Sequence, residues 1–460
     1  MIELNFNLNL LTMSKKKITF FLTLFILGNC SFDDKTGIWD GSEDEEKRVS
    51  ELEIENKKVL SVEKVYSSNY AYEKEINLSK RIILSLPKNN FLWSTPNLNS
   101  QNFLGNIYLS GIDNIFLKKR LGKDKFDTLN PTSSLLAYRN NLIFSDDTGN
   151  ILNINENGKI NWKKNIYKKL YKKLYKKLSF SIHKNNIYVS DNIGFIYSLN
   201  LDSGELLWIK NHGIPLKSNV AILGTKIFLI DQENKIFCLN KKDGTKIWDL
   251  VSVTPFIKSQ NLLSIALSKQ GDLVAINSTG DLFKINKDNG QTYWLLNTSG
   301  SSLKDASDFF KSSDIVISND QIIFSAGKSI FSHDLKMGTM NWENEVSSVA
   351  TPIIDGKYIF FVTENGFFVI LNRNTGKILS STNILKNLKK KHRKTKVTGF
   401  VMGSGKIYSV TINGYLVVSS ATSGKLESFR KIGDPITSSP IIINNKLFIL
   451  TNNSKIIGLS

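Results

Sequence analysis

The stretch Asp202-Ser203-Gly204-Glu205-Leu206-Leu207-Trp208 is a polar tight turn that runs into a short apolar segment ending in tryptophan. Its weight lies in recurrence. A glycine followed four residues later by tryptophan appears at Gly158 and Trp162, Gly204 and Trp208, Gly244 and Trp248, Gly290 and Trp294, and Gly338 and Trp342. Two degenerate copies follow, with Ser380 after Gly376 and Ser428 after Gly424. Successive glycines are 46, 40, 46, 48, 38 and 48 residues apart, a period that belongs to stacked supersecondary units.

Each copy has the same internal grammar. Upstream of Gly204, Asn185-Asn186 reads as a turn, Ile187-Tyr188-Val189 as a strand, Asp191-Asn192 as a turn and Phe195 to Leu199 as a second strand. Short β-rich runs separated by Asn, Asp and Gly form antiparallel hairpins, because those residues accept the positive φ that tight turns need. Four such strands per period predict an all-β, eight-bladed β-propeller of four-stranded antiparallel blades. The last stretch, Ser438 to Ser460, supplies only three strands. An N-terminal strand is therefore expected to complete the last blade and close the ring, and Asn89-Asn90-Phe91-Leu92-Trp93 is the segment that reads as that strand.

The turn and tryptophan resemble the repeat of PQQ-type (pyrroloquinoline quinone) propellers, with the Thr-Gly form kept at Thr375-Gly376. The resemblance implies that the tryptophans pack between blades. Trp93, Gly158, Trp162, Gly204, Trp208, Gly244, Trp248, Gly290, Trp294, Gly338 and Trp342 are accordingly expected to be scaffold.

Ahead of the repeats the chain changes character. Met13-Ser14-Lys15-Lys16-Lys17 precedes the apolar run Ile18 to Leu27, which is the length of a signal-peptide core and too short to span a bilayer. Leu27-Gly28-Asn29-Cys30 resembles a bacterial lipobox, which implies acylation of Cys30, export, and anchorage by lipid on the periplasmic face of the outer membrane. An ordinary cleaved signal is the alternative. The expected organisation is a signal peptide over residues 1–30, with Met13 as a second candidate start, a polar tether over 31–88 and the propeller over 89–460. The other cysteine, Cys238, sits in the strand-like Ile236-Phe237-Cys238-Leu239 and reads as core.

Chemistry is sparse in this sequence. His183, His212, His333 and His392 lack metal-ligand spacing, and no nucleophile, phosphate or zinc motif is present, so no catalytic residue, metal or cofactor is expected. Quinoprotein dehydrogenases share the repeat, but the adjacent cysteine pair usual in them is missing here. A lipobox followed by one isolated ring resembles instead the BamB family of outer-membrane assembly factors. That resemblance implies a non-catalytic adaptor docking on the periplasmic POTRA domains of the barrel-assembly subunit and aiding insertion of unfolded outer-membrane proteins.

The family's docking residues follow the tryptophan strand of two successive blades, which correspond here to Asp249 to Asn261 and Asn297 to Asp314. Apolar knobs beside charge in these connectors, Phe256, Ile257 and Lys258 in the first and Asp308, Phe309, Phe310, Lys311 and Asp314 in the second, suit a protein interface. The same aromatics could equally plug gaps between blades. Two rival functions remain open at this point: a PQQ-dependent enzyme or PQQ-binding protein, and a propeller that binds envelope glycolipid or peptidoglycan.

The formal charge of +19 fits either a basic surface or the lysine-rich output of A/T-rich codons. Two basic runs concentrate it, Tyr167 to Leu178 (YKKLYKKLYKKL) and Lys386 to Lys396 (KNLKKKHRKTK), and both fall between the outer strand of one blade and the inner strand of the next. In the first, Tyr and Leu recur at i, i+3, i+4 and i+7, which predicts an amphipathic helix with lysines opposite. Read as a surface insertion, the run should be removable without unfolding the ring.

Overall fold

The computed structural model describes residues 71–126, 133–254, 263–298, 312–388 and 393–460, with isolated positions at 31–32, 39–40 and 47. The chain divides into Met1–Asn69 and Tyr70–Ser460. In the first unit Ser31–Phe32 pairs antiparallel with Trp39–Asp40. Cys30 and its apolar leader lie outside the described residues.

Tyr70–Ser460 is an eight-bladed ring. Blades 1 to 7 run in chain order over residues 136–164, 178–211, 221–250, 264–297, 316–344, 353–383 and 397–431, each a meander of four antiparallel strands from the channel outward. The strand sequences explain the layering. The second and third strands of blade 3, Lys226–Ile230 and Ile236–Asn240, are buried along nearly their whole length because neighbouring blades cover both faces. Outer strands meet a neighbour on one face only, so Thr292–Asn297 alternates between half-buried and exposed positions.

In every blade the register between third and outer strand shifts by one residue, as after Ser198, Cys238 and Lys284. This bulge follows the positive-φ glycine of the turn and aims the tryptophan sideways at the next blade. There the ring covers the next glycine. A Cβ added at Gly204, Gly244, Gly290 or Gly376 would fall 2.5–2.7 Å from the preceding blade's Trp162, Trp208, Trp248 or Trp342. The indole N–H also crosses the seam, Trp162 donating to Leu201 O at 3.0 Å and Trp342 to Arg373 O at 2.8 Å. Each tryptophan thus buries a large apolar face and satisfies its single donor in one contact.

An N-terminal strand does close the ring, but it is Ile115–Arg120 and not the segment ending at Trp93. It pairs with Lys455–Leu459 with the same register shift, and Leu117 takes the tryptophan's place, 2.9 Å from a Cβ added at Gly158. Leu92–Trp93 instead pairs with the innermost strand of blade 1, Leu136–Tyr138. Trp93 is 1% exposed, more deeply buried than the outer-strand tryptophans Trp248 and Trp342 at 8%.

Residues 90–114 form a plug across the channel. Ile182 N donates to Ser94 O in blade 2, Leu267 N to Ser100 O in blade 4, Ile317 N to Gln101 O in blade 5, and Ile354 N to Leu104 O in blade 6. Ile107 N then donates to Met402 O in blade 7, and Ser110 N to Asn445 O in blade 8. The plug thereby pairs backbone groups that the innermost strands would otherwise leave open along the channel.

Residues 71–88, placed in the tether by their polarity, lie along the ring. Ile76 exchanges two backbone hydrogen bonds with Ser381 at 2.9 Å, Ile82 is buried, and Ser85 N donates to Asp355 at 2.8 Å. This strap covers the seam where Ser380 stands in place of a tryptophan: Ser380 Oγ donates to Ile76 O at 3.0 Å and Leu78 lies 3.5 Å from a Cβ added at Gly424.

Candidate functional site: the connector rim and its well

Each connector from an outer strand to the next inner strand emerges on the same rim of the ring, because four antiparallel strands return the chain to the edge it left. On that rim the channel opens into a well of about 600 Å³. Its wall is built from residues at the start of the inner strands of seven blades, among them Ser133, Ser179, Asn219, Ser313, Ser348, Thr398 and Ser438, and Pro96 and Asn97 of the plug also line it.

The hydroxyls have a local task. Ser133 Oγ accepts from Ser145 N and Ser313 Oγ from Ser325 N, both at 2.9 Å. The spacing of 12 residues is the same because the hairpin geometry is the same. A serine at this position closes a backbone donor of the second strand where the first strand is too short to reach it.

Of the expected interface residues, Phe256, Ile257, Lys258, Asp308, Phe309, Phe310 and Lys311 lie outside the described residues. Asp314 is described, and it faces the well. Asn97 Nδ2 donates to its carboxylate at 2.5 Å, Asn97 Oδ1 in turn accepts from Thr351 at 2.8 Å, and burial pushes the Asp314 carboxyl above its usual range. The side chain therefore ties plug to wall. At the start of the first connector, Asp249 is held below the usual carboxylate range by Lys246 at 3.1 Å and Lys235 at 3.4 Å. Val251 and Val253 beyond it are 69% and 66% exposed.

The basic run Tyr167 to Leu178 is not an amphipathic helix. Only Lys169–Lys173 coils, as a single 3-10 turn, and Leu178 already belongs to the inner strand of blade 2. The connector is anchored at both ends within a dozen residues, too short a path for a helix of useful length. Tyr and Leu consequently part company. Tyr167 is buried, its hydroxyl donating to Asp191 at 2.6 Å, and Tyr171 packs edge-on against Phe195 at 5.4 Å. Lys176 is buried beside Tyr167 and bonds the Tyr171 and Leu174 carbonyls. Outside stand Lys168, Lys169, Lys172 and Lys173, with Leu170 81% exposed. In the second run, Lys386 pairs with Glu75 at 2.6 Å and Lys396 with Glu364 at 2.8 Å, while 389–392 lie outside the described residues.

The remaining chemical groups are dispersed. His183 meets Lys241 at 3.1 Å, His212 pairs with Asp231 at 2.9 Å, and His333 bonds the Gly338 carbonyl at 2.9 Å, in separate places. His392 is not described. Burial pushes the Cys238 thiol up to about 12, leaving a packed, unreactive sulfur. Among the described residues no three His, Cys, Asp or Glu side chains converge in a way that could hold a metal ion.

What sequence reasoning missed was the plug and the strap. The signal was present in Pro96-Asn97-Leu98-Asn99-Ser100-Gln101-Asn102, a run too rich in amides for a tether, since amides supply both donors and acceptors. Asn102 uses this capacity, donating to Ile265 O at 3.1 Å and Ile315 O at 2.8 Å.

The ring, its tryptophan seams and its glycine turns define an eight-bladed propeller of the PQQ-repeat class. A family model described as outer membrane protein assembly factor BamB matches residues 147–382, about half of the chain. The chain belongs to that family. An assembly factor BamB from Moranella endobia is 21% identical over 268 residues, covering 53% of this chain. The chain spans 64% of that relative's length. Among solved structures, BamB from Moraxella catarrhalis shares the fold with a TM-score of 0.59 at 14% identity, covering 74% of this chain and 99% of its own. Quinohemoprotein alcohol dehydrogenase from Comamonas testosteroni shares it at 0.61 with 9% identity, covering 80% of each chain.

Proposed function

We propose that this protein is a non-catalytic adaptor of the outer-membrane β-barrel assembly machinery, held on the periplasmic face of the outer membrane by lipid on Cys30. Its connector rim, through 249–261 and 297–314, docks on the periplasmic POTRA domains of the barrel subunit and aids insertion of unfolded outer-membrane proteins. The observation that carries this reading is the family match over residues 147–382 on an isolated eight-bladed ring. The scarcity of convergent chemistry supports it. No cluster of His, Cys, Asp or Glu fit to hold a cation is assembled among the described residues, and the likeness to the dehydrogenase is one of fold alone.

A photo-cross-linking side chain at Val253 tests the proposal in cells. Recovery of the barrel-assembly subunit from Val253, and not from Leu207 on an outer strand, is the expected result. Repeated recovery of other partners only, or equal yields from both positions, would sink it.

A further inference from the structure

Blade 2 and the connector behind it enclose a niche beside the well, lined by Lys177, Leu178, Ser179, Ser190, Asn192, Leu216 and Lys217. Lys177, Leu178 and Ser179 line the well as well, so the niche lies in the well's wall. Its polar inventory is lopsided. Lys217 is 8% exposed and Lys177 part-buried; neither ammonium has a carboxylate, carbonyl or hydroxyl partner among the described residues, and neither nitrogen is fully sealed from solvent. Ser190 is 1% exposed, and its hydroxyl has no hydrogen-bond partner among the described residues.

The other polar groups are already engaged. Asn192 accepts from Lys177 N at 2.8 Å and donates to Tyr175 O at 3.2 Å, while Ser179 donates to Asn219 Oδ1 at 2.9 Å. Asn219 thereby turns its acceptor to the serine, which leaves its amide N–H groups to the well it lines.

Folded proteins pair buried polar groups, and lysine is almost never buried without a counter-charge. Two ammoniums that find no protein acceptor and a hydroxyl free to donate converge on one niche, so one acceptor from outside would serve all three, and two positive charges favour an anionic one. Desolvation and the charge of Lys217 hold Lys177 down to about 8, as expected where a counter-ion is missing. The niche itself offers about 10 Å³, room for one water-sized group. An oxygen of a carboxylate or phosphate fills that space, with the rest of the ligand in the well.

We propose that Lys177, Lys217 and Ser190 form an oxyanion-binding site in the wall of the well, taking the carboxylate or phosphate of a small ligand that enters from the connector rim. The site is independent of the POTRA-docking reading and stands or falls separately.

The test uses the purified protein with inorganic phosphate and succinate as probes, each against chloride of equal ionic strength. Amine-reactive labelling of Lys177, read by mass spectrometry, and titration calorimetry are the two readouts. Saturable protection of Lys177 by a probe below roughly 10 mM is expected, with at least tenfold weaker binding in Lys177→Met and Lys217→Met. Ser190→Ala should weaken binding severalfold, and Lys210→Met on an outer strand should leave it unchanged. Thermal melts confirm that each variant is folded. Preference for phosphate or for succinate identifies which oxyanion the site takes, and either supports it. No saturable protection by either probe, or equal binding by folded Lys177→Met, would overturn the proposal.

Discussion

Lys177 shows how one side chain couples the well to stability. Its ordinary value is 10.5 and the folded protein holds it near 8, so between those values the unfolded chain binds the proton that the folded chain has lost. The strain is therefore fully present below pH 8 and is relieved as pH rises towards 10.5. Lys177→Met should stabilise the ring at pH 7 by roughly 1–3 kcal/mol, and the advantage over wild type should shrink steadily above pH 8. Urea unfolding of both proteins across pH 6 to about 10 checks the sign. A constant difference would assign the effect to packing.

At the same scale, the scaffold residues were legible. The five Gly-x-x-x-Trp copies stand in the sequence because each seam imposes the same two demands: a positive φ without a Cβ, and an indole large enough to cover it. Where another group meets that demand, the letter is lost. Ser380 yields to the strap and Leu117 replaces an indole, so the closing strand was invisible to a search for tryptophan.

At the scale of elements, the insert 167–178 divides into an inner half that packs and an outer half that does not. Periodicity could not separate them, since Tyr and Leu are both apolar and the helical pattern ignores what lies beneath. Removing residues 167–176 would uncover the cavity over Gly149, where Tyr167 stands 2.4 Å from an added Cβ, and would strip Asp191 of its Tyr167 partner. We expect a loss of about 2–4 kcal/mol, from a large buried side chain and a broken buried hydrogen bond. Changing Lys168, Lys169, Lys172 and Lys173 together to serine should alter stability by only about 0.5 kcal/mol, as exposed positions do. Denaturant midpoints for the two variants give the comparison, and equal midpoints would make the whole insert ornamental. The strap and plug escaped the sequence for a related reason. They are single extended segments whose partners lie from about 45 to over 300 residues away, and no local period reports such pairing.

For the whole molecule, the blade count followed from a period and the fold class from its grammar, whereas the closure had to be found in three dimensions. The distinction has a measurable consequence. A chain beginning at residue 70 keeps strap, plug and closing strand, and should melt within about 2 °C of the full-length protein in a single transition. A chain beginning at residue 122 loses all three, leaving Lys455–Leu459 as an open apolar edge and the innermost strands unpaired. It should melt at least about 10 °C lower or aggregate, as scanning calorimetry and light scattering would show. Equal melting of the two truncations would mean that closure contributes little.

The pairing of Ile115–Arg120 with Lys455–Leu459 also sets an order of events in time. The strand that completes the circle is among the first to leave the ribosome and must wait for the final residues before it can be used. Hairpins can form one after another as the chain emerges, but the join between beginning and end closes one of the longest loops in the fold and is hence among the slowest to be made. Until then the newborn molecule is an open arc with a ready strand edge at each end, and its vulnerable interval lasts as long as its synthesis and delivery.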